Sequence, residues 1–186
     1  MPNKLRIISG GQTGADRAAL DAARENGLEI GGFVPKGRRA EDGTISGDYK
    51  GLTDTNSDDP AERTRLNVIT SDATLIFSYG KLTGGSRLTW LVARNERRPC
   101  LHIDLDHNSD DAAIEKILLW LRTTYIETLN VAGPRASKGP RYLRRRETNS
   151  RSRPERELNC NGSKKQKKRA VQNGTLNLMA TSIYGT

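Results

Sequence analysis

A run of glycines and hydrogen-bonding side chains joins an apolar segment to an amphipathic one near the start of the 186-residue chain. The run from Ser9 to Arg17 reads SGGQTGADR. Glycines let backbone N–H groups come close to an anion, and a helix that begins there directs its unpaired N–H groups and positive dipole end at the same place. The spacing matches neither the dinucleotide fingerprint G-x-G-x-x-G nor the ATPase loop G-x-x-x-x-G-K-[ST]. The pattern predicts a site for a phosphorylated ligand, with a plain glycine-rich turn as the alternative.

A second glycine-rich turn has the same arrangement further along the chain. Gly84-Gly85-Ser86 follows Thr83 and opens another predicted helix, so it offers a second group of backbone donors. In parallel α/β folds, ligands bind outside the carboxyl ends of the strands, where loops from distant parts of the chain meet. We therefore expect the two turns to face one crevice, together with the loop Ala132–Arg135 after a later strand.

A basic segment after the second predicted strand could neutralise phosphate charge. It contains Lys36, Gly37, Arg38 and Arg39, and arginine forms paired hydrogen bonds with phosphate oxygens. The polar, glycine-punctuated stretch from Gly37 to Asp59 is long for a connection inside a compact domain. It predicts a ligand-facing loop, with a solvated basic loop as the alternative.

The elements that must position these loops follow from hydrophobic periodicity. Short apolar runs alternate with helical patterns, which predicts an α/β fold, a Rossmann-like three-layer α/β/α domain with a mainly parallel sheet of about five strands. Gly27, Pro60, Pro99 and Ser109 are typical helix ends or starts. The predicted strands are Leu5 to Ser9, Ile30 to Val34, Ala73 to Ser78, Cys100 to Asp104 and Thr128 to Val131; the predicted helices are Ala15 to Asn26, one after Pro60, Ser86 to Arg97 and one from Ser109.

The net charge of +9 comes from the end of the chain. Residues 1–140 carry 19 Lys and Arg against 19 Asp and Glu, whereas residues 141–186 carry 12 against 3. We predict one domain at residues 1–140 and a basic, disordered or aberrant tail at residues 141–186. The tail could bind nucleic-acid phosphates non-specifically. Its only aromatic rings are Tyr142 and Tyr184, which provides poorly for stacking on bases, so we expect no nucleic-acid binding beyond this non-specific kind.

The cysteines and the lengths of the apolar segments indicate the cellular compartment of the protein. Cys100 and Cys160 do not form a disulfide framework, which fits a reducing cytosol. No leader-like apolar segment and no run of about 18 apolar residues is present, so we expect a cytoplasmic protein without a membrane partner.

Other residues that could carry chemistry have simpler interpretations. His102 and His107 flank acidic residues, but a strand and a turn explain them better than a metal site does. Ser9 lies before two glycines rather than in a nucleophile elbow. Asp16 lies in the first helical turn, where capping and ligand contact are equally reasonable. We assign no catalytic residue and no metal ligand.

At these positions the chain resembles the molybdenum cofactor carrier family, a circularly permuted YpsA-like branch of the SLOG and LOG-like Rossmannoid proteins. The resemblance extends over approximately residues 4–140, and the SGGQTGADRAALD and PKGRRAEDG blocks are its most specific parts. The remaining matching blocks are AERTRLN (61–67), SDATLIFS (71–78), LTGGSRLT (82–89), Pro99 to Asp104 and LNVAGP (129–134).

The resemblance implies a Rossmann-like domain, often oligomeric, that binds a phosphorylated small molecule. The ligand would be the molybdenum cofactor (molybdopterin) in a carrier or storage protein, or a nucleotide or ADP-ribose derivative in a sensor or a phosphoribohydrolase-like enzyme. LOG-like enzymes place an acid just inside the helix after the second glycine turn, where this chain has Arg87 to Leu91, so we expect binding rather than hydrolysis. The candidate binding residues are Gly10, Gly11, Gln12, Thr13, Gly14, Asp16, Arg17, Lys36, Gly37, Arg38, Arg39, Thr83, Gly84, Gly85 and Ser86.

Overall fold

Six parallel strands form the central sheet of the computed structural model, which describes residues 5–139. Their order across the sheet is β5-β2-β1-β8-β6-β7, and every neighbouring pair runs parallel. The strands are β1 (Arg6–Ile8), β2 (Glu29–Val34), β5 (Leu52–Asp54), β6 (Ala73–Ser78), β7 (Cys100–Asp104) and β8 (Thr128–Ala132), while β3 (Arg39–Ala40) and β4 (Gly43–Thr44) pair as a separate antiparallel hairpin.

Four helices alternate with the strands, and their ends follow the local signals of the sequence. They are α1 (Ala15–Glu25), α2 (Pro60–Ile69), α3 (Gly84–Asn95) and α4 (Asp110–Thr123). Helix α2 begins at Pro60, and the Asp59 side chain caps it by accepting a 2.8 Å hydrogen bond from the N–H of Ala61. Helix α4 is capped in the same way by Ser109. Helix α3 begins at Gly84, two residues before the predicted start.

The sheet is covered by helices on both faces. The larger apolar core combines Ala19 and Ala23 of α1, Ile117 of α4, and strand residues such as Phe77 and Leu129. Side chains alternate along a strand, so the intervening buried residues of the same strands face α2 and α3. These helices pack on each other and on β2 and β6. The predicted three-layer α/β/α fold is therefore confirmed.

One strand and one hairpin lie inside the stretch that was predicted as a loop. Strand β5 has only three residues, Leu-Thr-Asp, and two of them are exposed, so it has no apolar pattern for sequence reasoning to detect. It extends the sheet to six strands by pairing with β2. The connection is fastened to α1 by a 3.2 Å hydrogen bond from the Tyr49 hydroxyl to Asp21. The predicted tail at residues 141–186 lies outside the described residues.

Candidate functional site

A cleft of about 580 Å³ opens at the carboxyl ends of β1, β6 and β8. Strand β1 lies between β2, which follows it in the chain, and β8, which is the last strand, so the direction of winding reverses beside the cleft. Open parallel sheets bind ligands at such a switch point. The loops after the three strands and the start of α2 converge there, and the predicted residues that line the cleft are Gln12, Asp16, Thr83, Gly84, Gly85 and Ser86.

The lining of the cleft is positively charged. Its cationic side chains are Arg63, Lys81, Arg135 and Lys138, and Asp16 is the one carboxylate among the lining residues of the described chain. A concave surface with this excess of one charge attracts ions of the opposite sign. The cleft therefore favours an anionic ligand.

The second glycine turn is open toward this cleft. A Cβ built on Gly84 or Gly85 would meet, apart from the adjacent residues and the backbone of α3 itself, no atom of the described chain within 4 Å. The first N–H groups of a helix have no partner inside the helix, and Thr83 at the N-cap position forms no side-chain cap with α3 among residues 5–139. Backbone N–H groups at such a helix start are the kind of donor that binds anions in other proteins.

The first glycine turn, in contrast, is filled by the protein's own atoms. A Cβ on Gly14 would lie 2.4 Å from the carbonyl oxygen of Pro134, and that oxygen accepts a 3.1 Å hydrogen bond from the N–H of Ala15. The N–H of Gln12 donates to a carboxylate oxygen of Asp16 at 3.3 Å. The glycines here allow the loop after β8 to pack closely against the turn. The Asp16 carboxylate already accepts a hydrogen bond from one of the turn's backbone N–H groups.

Asp16 forms a buried ion pair with Arg63, a residue that the sequence reasoning did not select. The Arg63 Nη1 to Asp16 Oδ2 distance is 3.3 Å, and the side chains are 13% and 6% exposed. Burial raises the pKa of Asp16, and the positive charge of Arg63 and the hydrogen bond from Gln12 partly oppose that rise. Gly10 makes room for the guanidinium, because a Cβ there would lie 1.5 Å from Arg63 Nη1. The only available signal was that Arg63 lies in the AERTRLN block.

Two buried polar atoms beside this ion pair lack a hydrogen-bond partner within residues 5–139. They are Oε1 of Gln12, whose Nε2 donates to the carbonyl oxygen of Arg39 at 2.9 Å, and Nε of Arg63. Both residues line the cleft. Leaving such groups unsatisfied is unfavourable, so their positions fit a site that is completed by bound water or ligand.

The basic segment is not among the residues that line the cleft. Lys36, Gly37 and Arg39 are exposed. The Arg38 guanidinium donates to the carbonyl oxygens of Ile45 and Ser46 at 3.1 and 3.0 Å, which fixes the shape of the loop. The role of these basic residues in ligand binding stays a prediction.

Five predicted residues of the first turn also lie outside the cleft lining: Gly10 and Gly14, whose contacts are given above, and Gly11, Thr13 and Arg17. Arg17 pairs with Asp42 of the hairpin at 2.5 Å and donates to the carbonyl oxygen of Gly11 at 3.2 Å. Thr13 is buried, and its hydroxyl interacts with Glu41. Gly11 packs against Ile45, which would lie 3.1 Å from an added Cβ. Their contacts connect the turn to the hairpin.

The two histidines hold hydrogen bonds within the protein. His102 Nε2 lies 2.7 Å from the Ser78 hydroxyl, and His107 Nδ1 lies 2.8 Å from Asp104. Across residues 5–139, no group of three or more His, Cys, Asp and Glu side chains is arranged to hold a metal ion. The same part of the chain contains no helix that is long and apolar enough to span a membrane.

Comparisons with known proteins agree on one family. Residues 7–152 match the family described as the circularly permutated YpsA SLOG family. The fold is similar to the 1.45 Å crystal structure of a protein named "Putative molybdenum carrier protein" from Syntrophus aciditrophicus SB, with 40% sequence identity, 96% of this chain and 94% of that chain covered, and a TM-score of 0.72. No curated protein matches the chain. The resemblance noted in the sequence is thereby confirmed: the chain belongs to the circularly permutated YpsA SLOG family.

Proposed function

We propose that the cleft binds a phosphorylated small molecule, and that this ligand is the molybdenum cofactor, which the protein carries or stores. The observation that carries the proposal is the open N-terminal turn of α3 beside Arg63, Lys81, Arg135 and Lys138. Backbone donors at a helix start and several nearby cations are the usual means of holding a phosphate group. The 40% identical relative is named "Putative molybdenum carrier protein", which supports a ligand that contains molybdenum. That the molybdenum is held by a phosphorylated pterin is what the family resemblance noted in the sequence implies.

The lining of the cleft supports binding rather than hydrolysis. Oδ2 of its carboxylate, Asp16, accepts hydrogen bonds from Arg63 and from the N–H of Gln12, and both contacts oppose the uptake of a proton by this group. The first turns of α3 carry no acid from Gly84 to Asn95. Release of free base from a nucleoside monophosphate by the purified protein would contradict a pure binding function.

Native mass spectrometry of the protein purified from cells that make molybdopterin is the direct test. We expect an excess mass equal to the pterin with molybdenum. Lys81→Ala should reduce the occupied fraction, whereas Lys50→Ala, which removes an exposed lysine outside the cleft lining, should not. A nucleotide or ADP-ribose mass would retain the phosphorylated ligand but overturn the cofactor assignment.

If the purified protein carries no ligand, a second measurement tests whether the cleft binds an anion. Inorganic pyrophosphate is titrated while the backbone amide signals are followed by NMR. The amides of Gly84 and Gly85 should shift, and that of Gly43 in the exposed hairpin should not. Unmoved Gly84 and Gly85 signals would overturn the proposal that the start of α3 receives an anion.

A further inference from the structure

The Glu41 carboxylate joins three parts of the chain that are distant in sequence. It projects from the β3–β4 hairpin and accepts hydrogen bonds from the N–H of Ser137 at 3.1 Å and from the Ser137 hydroxyl at 2.5 Å. The Thr13 hydroxyl of the first glycine turn also interacts with it, and Thr13 Oγ1 accepts a hydrogen bond from the N–H of Ala136 at 3.2 Å. The hairpin, the first glycine turn and the short 3₁₀ turn Ala136–Lys138 therefore meet at one carboxylate.

This 3₁₀ turn carries part of the positive wall of the cleft. Arg135 immediately precedes the turn and Lys138 ends it, and both line the cleft, while Ser137 between them is held by Glu41. The turn is only three residues long, and its internal hydrogen bonds join Lys138 to Arg135 and Gly139 to Ala136. Such a short turn has little intrinsic stability, so its position depends on contacts with the rest of the domain.

From this arrangement we infer that Glu41 is a positioning residue for anion binding, which acts by holding the Ala136–Lys138 turn so that Arg135 and Lys138 face the cleft. The inference rests on the proposed function of the cleft. Although desolvation raises the pKa of Glu41, the hydrogen bonds from Ser137 and Thr13 and the charge of Arg135 outweigh it and hold this pKa below its usual range. The side chain is therefore ionised at neutral pH, where charge-assisted hydrogen bonds are strongest.

The alternative to positioning predicts an effect of the opposite sign. If Glu41 only placed a negative charge near Arg135, its removal would make the cleft more positive and strengthen the binding of an anion. If Glu41 positions the turn, its removal frees Arg135 and Lys138 and weakens binding. The direction of the change therefore separates the two roles.

The experiment is calorimetric titration of inorganic pyrophosphate into the full-length protein and its variants. We expect Glu41→Ala to weaken binding about 5- to 10-fold, which corresponds to the loss of well-placed charged contacts. Glu41→Gln should recover part of the loss, because the amide oxygen can still accept a hydrogen bond from Ser137. Asp42→Ala is the matched control, since Asp42 neighbours Glu41 on the hairpin but pairs with Arg17; its effect should be less than about 2-fold.

A double-mutant cycle excludes a general structural effect. In an Arg135→Ala background, Glu41→Ala should lose part of its effect on affinity, because one of the two side chains that it positions is gone while Lys138 remains. An equal fold-loss in both backgrounds, or unchanged or tighter binding by Glu41→Ala, overturns the inference. If Glu41→Ala does not fold, Ser137→Ala, which removes only the hydroxyl donor, must give a loss of about 2-fold or the inference fails. A wild-type protein that does not bind pyrophosphate overturns the proposed function as well.

Discussion

Replacement of Arg63 by methionine should leave the Asp16 carboxylate buried without its counter-ion. The two side chains are 13% and 6% exposed and lie 3.3 Å apart, and methionine retains much of the packing volume. Removing one partner of a buried pair costs about 3–5 kcal/mol. Because the guanidinium keeps some solvent contact, and Asp16 keeps the N–H of Gln12, we expect a loss of about 3 kcal/mol in the free energy of unfolding.

The size of this loss should depend on pH in a defined direction. Burial already raises the pKa of Asp16, and removal of the Arg63 charge raises it further. A group whose folded pKa lies above its unfolded value, about 3.9 for aspartate, binds a proton more readily in the folded state. The contribution of such a group to the free energy of unfolding is therefore most favourable at pH values below its unfolded pKa, and it is lost as the pH rises through its folded pKa. The Arg63→Met defect should be largest near neutral pH and should shrink as pH falls toward about 4.

Urea unfolding at neutral pH and at about pH 5 is the assay. With a slope of about 2 kcal/mol per molar urea, the expected loss lowers the midpoint by about 1.5 M at neutral pH. Arg65→Met is the matched control on the same helix, because Arg65 makes an exposed pair with Glu96 at 3.8 Å; its effect should stay below about 1 kcal/mol. Asp16→Asn combined with Arg63→Met should recover most of the stability. A loss below about 1 kcal/mol, or one that does not change with pH, would refute the buried ion pair as a determinant of stability.

Two further substitutions and one chemical reaction test separate features of the protein. Gly85→Ala should raise the free energy of unfolding by about 0.4–1 kcal/mol, because Gly85 lies in helix α3 and its Cβ has room. The same change should weaken pyrophosphate binding about 10-fold by crowding the backbone donors, and a loss of stability together with a loss of binding would contradict this. Gly14→Ala should lower the free energy of unfolding by about 2–4 kcal/mol, because φ of Gly14 is +77° and the added Cβ would contact the Pro134 carbonyl. Thermal or urea unfolding measures this loss, and a variant as stable as the wild type would show that the turn can rearrange. Burial raises the pKa of the Cys100 thiol to about 11, so only about 0.1% of this thiol is thiolate at pH 8. A disulfide reagent should therefore modify Cys100 far more slowly in the folded protein than in the unfolded chain, and equal rates would disprove its burial.

The α/β fold and most element boundaries could be predicted because their signals are local. Pro60 and Ser109 lie at the starts of helices by virtue of their own backbone and hydrogen-bonding chemistry. The strand Ala73–Ser78 is mostly apolar because every one of its residues is buried. The β3–β4 hairpin and strand β5 were not predicted. Strand β5 is a strand only because it lies beside β2, and its own three residues carry no pattern.

The candidate site could be predicted only in part. The convergence of Gln12, Asp16 and the second glycine turn follows from parallel topology, which places the carboxyl ends of the strands at one edge. No local pattern predicted that Arg63 would line the cleft, because a charged residue in a helix is usually exposed to solvent. It contacts the cleft because Gly10, far from it in the sequence, leaves room for the guanidinium.

The sequence by itself therefore determined the architecture and the edge of the sheet at which a ligand can bind, since periodicity, capping and turn chemistry act over a few residues. The tertiary structure decided which of two similar glycine turns stays open. Gly14 is covered by Pro134, and the nearby N–H groups of Gln12 and Ala15 donate to Asp16 and to Pro134, whereas Gly84 and Gly85 face open space. The reason is that the N–H groups of a turn are free to bind a ligand only where no distant part of the chain packs against them. That packing is a property of the whole fold and not of the segment itself.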